Sequence, residues 1–355
     1  MKVLLVTFSD NADHQDTVFG LYEKLQKQVD TYLLAIKTPK VSLDRSDKTW
    51  LVDCPQRPGV CKKTFNLPLL ISLIHRIRKE RFDVIYFESL HVWNLPILWM
   101  AGRKTRTYQV IHEVVPHEGD RQVGLVELMN KAVCKLADTI VLRNQMYREL
   151  LSQKYRISDD RVKCLELWRR YPKFTPPVNS GTALFFGRVN PYKGADNLLK
   201  IAKRCPDIHF EMIGRVDSQM EEIADQLRNL PNVHLNDDYV SDDEMKQAFV
   251  QADWIILPYN SASQSGVIID AYKYSRPVIA FDVGAISEQL ADGYSGYLIK
   301  AGDIDGFVEK LRSSMKMPAE QYTKMCANAY EYGAQKYAVD GAITRFMNVI
   351  APKES

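Results

Sequence analysis

The chain has 355 residues, of which 46% are hydrophobic and 26% charged, as is typical of a soluble globular protein with room for two domains. Its net charge of +3 is the sum of a positive charge on the first half and a negative charge on the second half. No DNA- or RNA-binding pattern accompanies the basic charges, so nucleic acid is not an expected partner.

In the first half, short apolar runs alternate with helical patterns. Strands are predicted at residues 3–8, 84–87, 108–111, 139–142 and 162–167, with a helix over 69–79. The stretch 37–66 has little periodicity and reads as a loop. The longest uncharged apolar run, 92–102, falls far short of the roughly 18 to 20 residues that cross a bilayer. We expect a buried helix there, with a membrane anchor as the alternative because the basic cluster 103–106 follows it.

The second half repeats the alternation. Strands are predicted at 184–186, 210–213, 233–235, 254–257, 278–280 and 297–299, with helices over 195–203, 220–228 and 243–251. Ser241 and Glu244 have the spacing of a capping box at the start of the last of these helices. Residues 303–350 are predicted to be helical, with no further strand.

Such alternation predicts an α/β protein with two Rossmann-like, doubly wound parallel sheets that face each other across a cleft. The proline-rich stretch 172–181 reads as the linker. We therefore expect a first domain over 1–171, a second over 182–335 and a final helix over 336–355 that can cross back to the first domain. Ligands of such sheets bind beyond the carboxyl ends of the strands, at topological switch points.

The stretch FFGRVNPYKGADNLL, residues 185–199, fixes two cations between a strand and a helix. Gly187 and Gly194 bracket the turn and Pro191 stiffens it. One interpretation is a solvated surface turn. The other is that Arg188 and Lys193 reach over the edge of the sheet toward a polyanion.

A second motif, SASQSGVIIDAYKYSRPVIAFDVGAISE, begins at Ser261. Small residues at Ser265 and Gly266 let a bound group approach the first N–H donors of the following helix, which favour phosphate. Together with the two cations, these donors predict a diphosphate site without a divalent metal. Asp270, about one turn further on, is a candidate to accept hydrogen bonds from sugar hydroxyls, or is a first-turn acid favoured by the helix dipole.

These two motifs, their order and the two-domain rhythm resemble the retaining glycosyltransferases of family 4, which have the GT-B fold. HEVVPHEGD, residues 112–120, resembles the segment after a central strand of their first domain. The resemblance implies transfer of a sugar from a nucleoside diphosphate to an acceptor with retention at the anomeric carbon. It places the nucleotide on the second domain and the acceptor on the first.

The resemblance also assigns residues. Arg188 and Lys193 would stabilise the UDP or GDP leaving group, and His112 would contact the donor sugar, so these three are the predicted catalytic residues. Donor binding would further involve Gly187, Tyr239, Val240, Gln264, Ser265, Gly266, Val267 and Asp270. In the loop after the first strand, Asp13 and His14 are predicted to contact the acceptor. In the HEVVPHEGD segment, His117 is a candidate for the same contact, with a loop histidine packed against Pro116 as the alternative.

The sequence departs from the family pattern at two points. Ala262 stands where the first acid of the glutamate-x7-glutamate motif is expected, which leaves Ser263 and Gln264 as polar candidates to contact the sugar. Residues 9–14 replace the glycine-rich loop after the first strand. Asp303 and Asp305 mimic the metal-binding DxD of another transferase fold, but we expect them to cap a helix, and no metal or cofactor is expected.

The leading hypothesis is a cytoplasmic, metal-independent, retaining hexosyltransferase acting on a glycan or lipid-linked glycan, as in surface polysaccharide assembly. Six cysteines without CxxC spacing suit a reducing compartment. The basic first half makes an anionic membrane surface an expected partner, with the protein peripheral on the inner face. The alternatives are a nucleotide-sugar epimerase of the same architecture and a non-catalytic nucleotide-sugar-binding subunit. A Rossmann oxidoreductase is disfavoured because no GxGxxG follows the first strand.

Overall fold

A computed structural model describes residues 1–10, 12–38, 46–56, 58–115 and 123–351, without the side chains of residues 12, 13, 15 and 16. Contacts group these residues into two compact units. The first contains residues up to 115, then 123–170 and 339–351, and the second contains 171–338. No helix among the described residues is long and apolar enough to cross a membrane.

The described residues of the first unit form a seven-stranded parallel sheet in the order β3-β2-β1-β4-β5-β6-β7. Its strands are β1 (Lys2–Thr7), β2 (Asp30–Ile36), β3 (Thr49–Val52), β4 (Val84–Phe87), β5 (Arg106–Ile111), β6 (Thr139–Leu142) and β7 (Val162–Cys164). The helices between them are α1 (Ala12–Leu25), α2 (Leu67–Glu80), α3 (Asn94–Met100), α4 (Val123–Leu136) and α5 (Arg148–Tyr155). The strand order reverses between β1 and β4, which makes that pair the switch point.

Both faces of this sheet are buried, as the near-continuous apolar strands require. Side chains alternate along β1, so Leu4 and Val6 belong to one apolar cluster and Val3 and Leu5 to the other. The first cluster is covered by α2 and α3. The second is covered by α1 and by a helix from the end of the chain, which contributes Phe346.

In the second unit, the described residues form a six-stranded parallel sheet in the order β10-β9-β8-β11-β12-β13. Its strands are β8 (Thr182–Phe186), β9 (His209–Ile213), β10 (Val233–Asn236), β11 (Trp254–Leu257), β12 (Val278–Asp282) and β13 (Gly296–Lys300). Its helices are α6 (Ala195–Arg204), α7 (Glu221–Arg228), α8 (Asp242–Gln251), α9 (Gly266–Lys273), α10 (Ile286–Gln289), α11 (Ile304–Met315) and α12 (Ala319–Tyr337). Here the order reverses between β8 and β11.

The last helix, α13 (Val339–Ile350), packs in the first unit although it follows α12 of the second. Val339, Ile343, Phe346 and Ile350 are buried at helical spacing and form its apolar stripe. The predicted fold class, two parallel Rossmann-like sheets with helices and a helical end, is confirmed. The prediction that no strand follows residue 303 is also confirmed for the part that the structure describes.

Two sequence-based expectations about elements were wrong, and one strand was missed. The loop predicted over 37–66 contains β3, and β2 was not predicted at all. The strand predicted over 162–167 ends at Cys164. The linker stretch 172–181 is extended, but hydrogen bonds attach it to the second unit. The N–H of Thr175 donates to the Ser275 hydroxyl, and the Arg276 guanidinium donates to the carbonyls of Thr175 and Pro176.

Candidate functional site

The switch point of the second sheet brings two loops together. Residues 187–194, the β8 loop, follow β8, and residues 258–265, the β11 loop, follow β11. Because β8 and β11 are adjacent and parallel, both loops leave the sheet at its carboxyl edge. An open parallel sheet binds its ligands at this position.

The β8 loop carries Lys193 back over the end of its own strand. Asn190 accepts a hydrogen bond from the N–H of Lys193 and starts a short 3-10 turn. Lys193 Nζ then lies 3.5 Å from the carbonyl of Phe186 and so close to Gly187 that a Cβ there would come within 2.1 Å of it. Gly187 also has a φ of 109°, and this backbone angle is what favours glycine, since the end of the flexible Lys193 side chain could move away from a Cβ.

The β8 and β11 loops are fastened to each other. A Cβ on Gly194, whose φ is 68°, would lie 1.9 Å from the carbonyl oxygen of Pro258. The N–H of Asn260 donates to the carbonyl of Tyr192 at 2.8 Å, and the amide of Asn197 donates to Pro258 at 3.0 Å. Lys193 Nζ therefore lies 5.5 Å from the ring centre of Tyr259 on the β11 loop.

Arg188 is exposed on the β8 loop and forms no ion pair with any of the described residues. Beyond it, the N–H of Val189 donates to the carbonyl of Arg215, so the backbone at Arg215, after β9, is bonded to the same loop. Two cations of one loop, at the carboxyl edge of a parallel sheet, form a local concentration of positive charge. Such a site favours a ligand with adjacent negative charges.

The β11 loop leads into α9 and is held by Gln289 from α10. The N–H of Ser265 donates to Gln289 Oε1 at 2.6 Å, and the Gln289 amide donates back to the Ser265 carbonyl at 3.0 Å. The backbone donor of Ser265 is thus used within the protein. Gly266 and Val267, in the first turn of α9, have N–H groups that no acceptor within the helix can reach.

The remaining predicted donor residues differ in exposure. Asp270 is buried and lies beyond the first turn of α9, which contains no acid, so the interpretation as a first-turn acid is wrong. Gln264 is half-buried, whereas Ala262 is buried against Gly284. Tyr239 and Val240 lie in the loop after β10, and the side chain of Tyr239 is 82% exposed.

His112 lies at the carboxyl edge of the first sheet, directly after β5. Its Nε2 is 2.8 Å from the carbonyl oxygen of Glu88, which follows β4, and 3.3 Å from Glu88 Oε1. Glu88 forms a fully buried ion pair with Arg143, which follows β6. Burial is the largest single influence and would raise the pKa of Glu88. The charge of Arg143 and the contact with His112 together outweigh burial, so this pKa lies below its ordinary value.

Of the predicted acceptor residues, His14 is buried and stacks flat against His112, with ring centres 4.2 Å apart. The side chain of Asp13 and all of His117 lie outside the described residues. Sequence reasoning missed Glu88, Arg143 and Gln289. A charged residue immediately after a buried strand is the signal that could have revealed the first two.

Asp303 caps α11 by accepting from the N–H of Gly306 at 2.9 Å, as predicted. Asp305 lies beside Arg204 as an ion pair on the surface. Among the residues that the structure describes, no group of three or more histidine, cysteine or acidic side chains could hold a metal ion.

Residues 170–335 match the family Glycosyl transferases group 1. This part of the chain is similar to that family. The match covers the second unit, with its β8 and β11 loops, and just under half of the chain. The positive charge at the second switch point lies within the part of the chain that matches this family.

Curated relatives extend the similarity beyond the group 1 region. The chain is 21% identical to D-inositol 3-phosphate glycosyltransferase of Mycolicibacterium smegmatis over 283 residues, covering 73% of this chain and 63% of that protein. A protein of the cps region of Klebsiella pneumoniae is 27% identical over 268 residues, covering 69% and 73%. The corresponding enzyme of Mycolicibacterium gilvum is matched over only 39% of its length, at 24% identity and over 47% of this chain.

Solved structures match nearly the whole chain. HepE of Anabaena in complex with UDP-glucose has a TM-score of 0.72 at 15% identity and covers 99% of both chains. Sucrose-phosphate synthase of Thermosynechococcus elongatus has a TM-score of 0.71 at 14% identity and covers 98% of both. At these identities the likeness establishes the fold, which is GT-B.

Proposed function

We propose that the protein transfers a sugar from a UDP- or GDP-linked donor to a glycan or lipid-linked glycan, with retention at the anomeric carbon. One observation carries this proposal: Arg188 and Lys193 lie on a single loop at the β8–β11 switch point of a group 1 glycosyltransferase domain. Relatives named as glycosyltransferases, and HepE, solved with UDP-glucose, support a nucleotide-sugar donor.

In the proposed reaction the bond between the sugar C1 and the diphosphate oxygen breaks while an acceptor hydroxyl oxygen attacks from the same face and passes its proton to the departing phosphate oxygen. Negative charge develops on the departing UDP or GDP. Arg188, Lys193 and the free N–H groups of Gly266 and Val267 would stabilise that charge without reorganising. Fixed cations and helix N–H groups supply the positive charge that a divalent metal ion supplies in metal-dependent transferases. We therefore propose a metal-independent reaction.

The ribose and the sugar need polar contacts of their own. Asp270 is proposed to accept from the ribose hydroxyls, since an ionised carboxylate accepts from two vicinal groups at once. Gln264 and the backbone after β10, at Tyr239 and Val240, complete the proposed donor contacts. His112 is proposed to contact the sugar, and His14, stacked on it, to help shape the acceptor side of the first unit.

A lipid-linked acceptor agrees with one exposed surface of the first unit. Val60, Phe65, Leu67 and Ile71 are between 55% and 79% exposed and lie in one stretch of chain. Exposed basic residues lie among them and further along α2, namely Lys62, Lys63, Arg78 and Lys79, of which Lys63 is paired with Asp53. We name this surface the α2 patch and propose that it rests on an anionic membrane, where apolar side chains enter the interface and cations meet the headgroups.

The test is an acceptor-dependent assay of nucleotide release, with and without EDTA. Candidate UDP- and GDP-sugars are first ranked by thermal shift, since a ligand at 100 times its Kd adds about 2.7 kcal/mol of stability. Free UDP or GDP that forms only when an acceptor is present, and in EDTA, supports metal-independent transfer. Activity that EDTA abolishes and manganese restores contradicts the metal-free part of the proposal.

The same assay separates the two alternatives. A changed sugar without any acceptor would indicate an epimerase of GT-B architecture. Tight nucleotide-sugar binding without release or epimerisation, over a panel of acceptors, would indicate a binding subunit. Product analysis by NMR decides retention, because the anomeric configuration of the new bond must equal that of the donor.

A further inference from the structure

Charged side chains are buried together at the carboxyl edge of the first sheet. Glu88, His112 and Arg143 each follow one of three neighbouring strands, β4, β5 and β6, and His14 from α1 stacks on His112. Glu88 is 0% exposed and Arg143 is 4% exposed. These four residues are named the edge cluster below.

Stability alone is a weak explanation for the edge cluster. A buried ion pair often contributes no more than well-packed apolar residues of similar volume, because desolvation offsets the attraction. This pair is also incompletely bonded: among the described residues, neither Glu88 Oε2 nor Arg143 Nε has a hydrogen-bond partner. Buried polar atoms without a partner are few in natural interiors, and each calls for an explanation.

The geometry does determine which nitrogen of His112 carries a hydrogen. A backbone carbonyl can only accept, and the carbonyl of Glu88 lies 2.8 Å from His112 Nε2. Nε2 must therefore be protonated, with Glu88 Oε1 at 3.3 Å as a second acceptor. Within the described residues, Nδ1 bonds to no protein group, and the flat stacking of His14 fixes the plane of the ring.

Arg143 anchors this arrangement from the other side. Its Nη1 donates to the carbonyls of Leu165 and Glu166, which follow β7, while its Nη2 binds the Glu88 carboxylate. The Glu88 side chain, and with it the carbonyl that binds His112, is thereby tied to the loop of another strand. Removing Arg143 or Glu88 would free that carbonyl to turn.

We propose that Glu88 and Arg143 are positioning residues that hold His112 in its Nε2–H tautomer, so that Nδ1 faces the substrate as a hydrogen-bond acceptor. This rests on the proposed function, in which His112 contacts the donor sugar. The proposed tautomer also specifies the chemistry of the ligand. An unprotonated Nδ1 accepts a hydrogen bond, so it pairs with a hydroxyl, which can donate, and not with a carbonyl or a carboxylate, which only accept.

The first test needs no substrate. Long-range proton–nitrogen NMR of protein labelled with 15N-histidine reports the tautomer of each ring, and His112→Gln identifies the resonance. We expect a single Nε2–H tautomer for His112 at pH 8. A resonance with the pattern of the Nδ1–H tautomer would overturn the proposal, whether or not the protein proves to transfer a sugar.

The second test replaces the pair without leaving a lone buried charge, as Glu88→Leu with Arg143→Met. The matched control removes an exposed pair of the same unit, Glu127→Gln with Lys154→Met, which are joined at 2.6 Å. In the folded Glu88/Arg143 variant we expect both His112 tautomers and a fall in kcat on the order of 10- to 100-fold, with KM little changed.

Arg143→Lys, which keeps the charge, should restore part of the rate relative to Arg143→Met. An unchanged His112 tautomer in the folded double variant would show that the pair is only structural. If the wild type transfers no sugar but its His112 gives the expected tautomer, and loses it in the double variant, the proposed function fails and the positioning role stands.

Discussion

Gln289 shows how a single side chain shapes the region where a phosphate is expected to bind. Its amide bonds to both backbone groups of Ser265 and is itself buried. The start of α9 is thereby held in one place relative to α10. Such fixed donors stabilise developing charge better than mobile ones, because they need not reorganise.

We predict that Gln289→Leu loosens the start of α9 while keeping the volume of the side chain. Both hydrogen bonds are lost and the buried N–H of Ser265 is left unsatisfied, which costs about 1–3 kcal/mol. Denaturant unfolding measures that loss, and nucleotide binding should weaken as well. The control is Gln251→Leu, an exposed glutamine of the same unit. Equal stability of the two variants would contradict the role given to Gln289.

Asp270 is expected to anchor the nucleotide rather than take part in the chemistry. Asp270→Asn keeps the shape of this buried side chain but removes its charge, so it should weaken UDP or GDP binding more than it lowers the maximal rate. The comparison uses 2′- and 3′-deoxyribose analogues of the nucleotide. If Asp270→Asn still discriminates against the analogues as well as the wild type does, the assignment is wrong.

At the scale of elements, local pattern predicted most strands because each is a short apolar run between polar turns. It missed β2, since residues 32–36 suit a buried helix end as well as a strand. It missed β3 because this four-residue edge strand is defined by its pairing with β2, Leu33 opposite Thr49, and not by its own sequence.

The two parts of the candidate site also differ in how far the sequence alone predicts them. Gly187, Arg188 and Lys193 are neighbours in sequence, so their pattern predicted a strand-to-helix turn with two cations. Glu88, His112 and Arg143 are far apart in sequence, and only the strand order β4-β5-β6 brings them together. Local sequence patterns do not determine the order of strands in a sheet. The ion pair of Glu88 and Arg143 beside His112 was therefore not predicted.

The segment after β4 gives a prediction about pH. His91 is buried, its Nε2 lies 2.9 Å from the Pro55 carbonyl, and its Nδ1 accepts from the N–H of Trp93. Burial lowers the pKa of His91 from 6.5 to about 4. The unfolded chain therefore binds a proton that the folded chain does not, and stability is lost as the pH falls from 6.5 toward 4.

The expected contribution of His91 is about 2 kcal/mol between pH 6.5 and pH 5, at roughly 1.36 kcal/mol per pH unit. His91→Gln should lower the stability at pH 7.5 but flatten its dependence on pH over this window. Urea unfolding at a series of pH values measures both effects. His75→Gln, an exposed histidine of the same unit, is the control. A His91→Gln profile as steep as that of the wild type would refute the prediction.

At the scale of the whole molecule, the uneven charge of the two halves corresponds to two proposed partners. Residues 1–178 carry 29 lysines and arginines against 20 acidic residues, and the α2 patch belongs to this half. The second half is acidic overall, yet its β8 loop presents two cations.

We predict that the protein floats with vesicles of anionic lipid and is released as salt rises, because the Debye length shortens to about 8 Å at 0.15 M. Phe65→Ser with Ile71→Ser should reduce binding. Leu128→Ser, an equally exposed apolar residue of the first unit, should not. Binding that ignores lipid charge and salt would point instead to insertion near the exposed Trp99.

The central claim is that the β8 loop binds the diphosphate of a nucleotide, and calorimetric titration tests it most directly. UDP and GDP are titrated into the wild type, Arg188→Ala, Lys193→Ala and the control Lys200→Ala, an exposed lysine on α6. A charge-assisted hydrogen bond is worth roughly 1.5–3 kcal/mol, so each of the first two variants should bind on the order of 10- to 150-fold more weakly. The control should match the wild type. Wild-type affinity in both Arg188→Ala and Lys193→Ala would contradict the account.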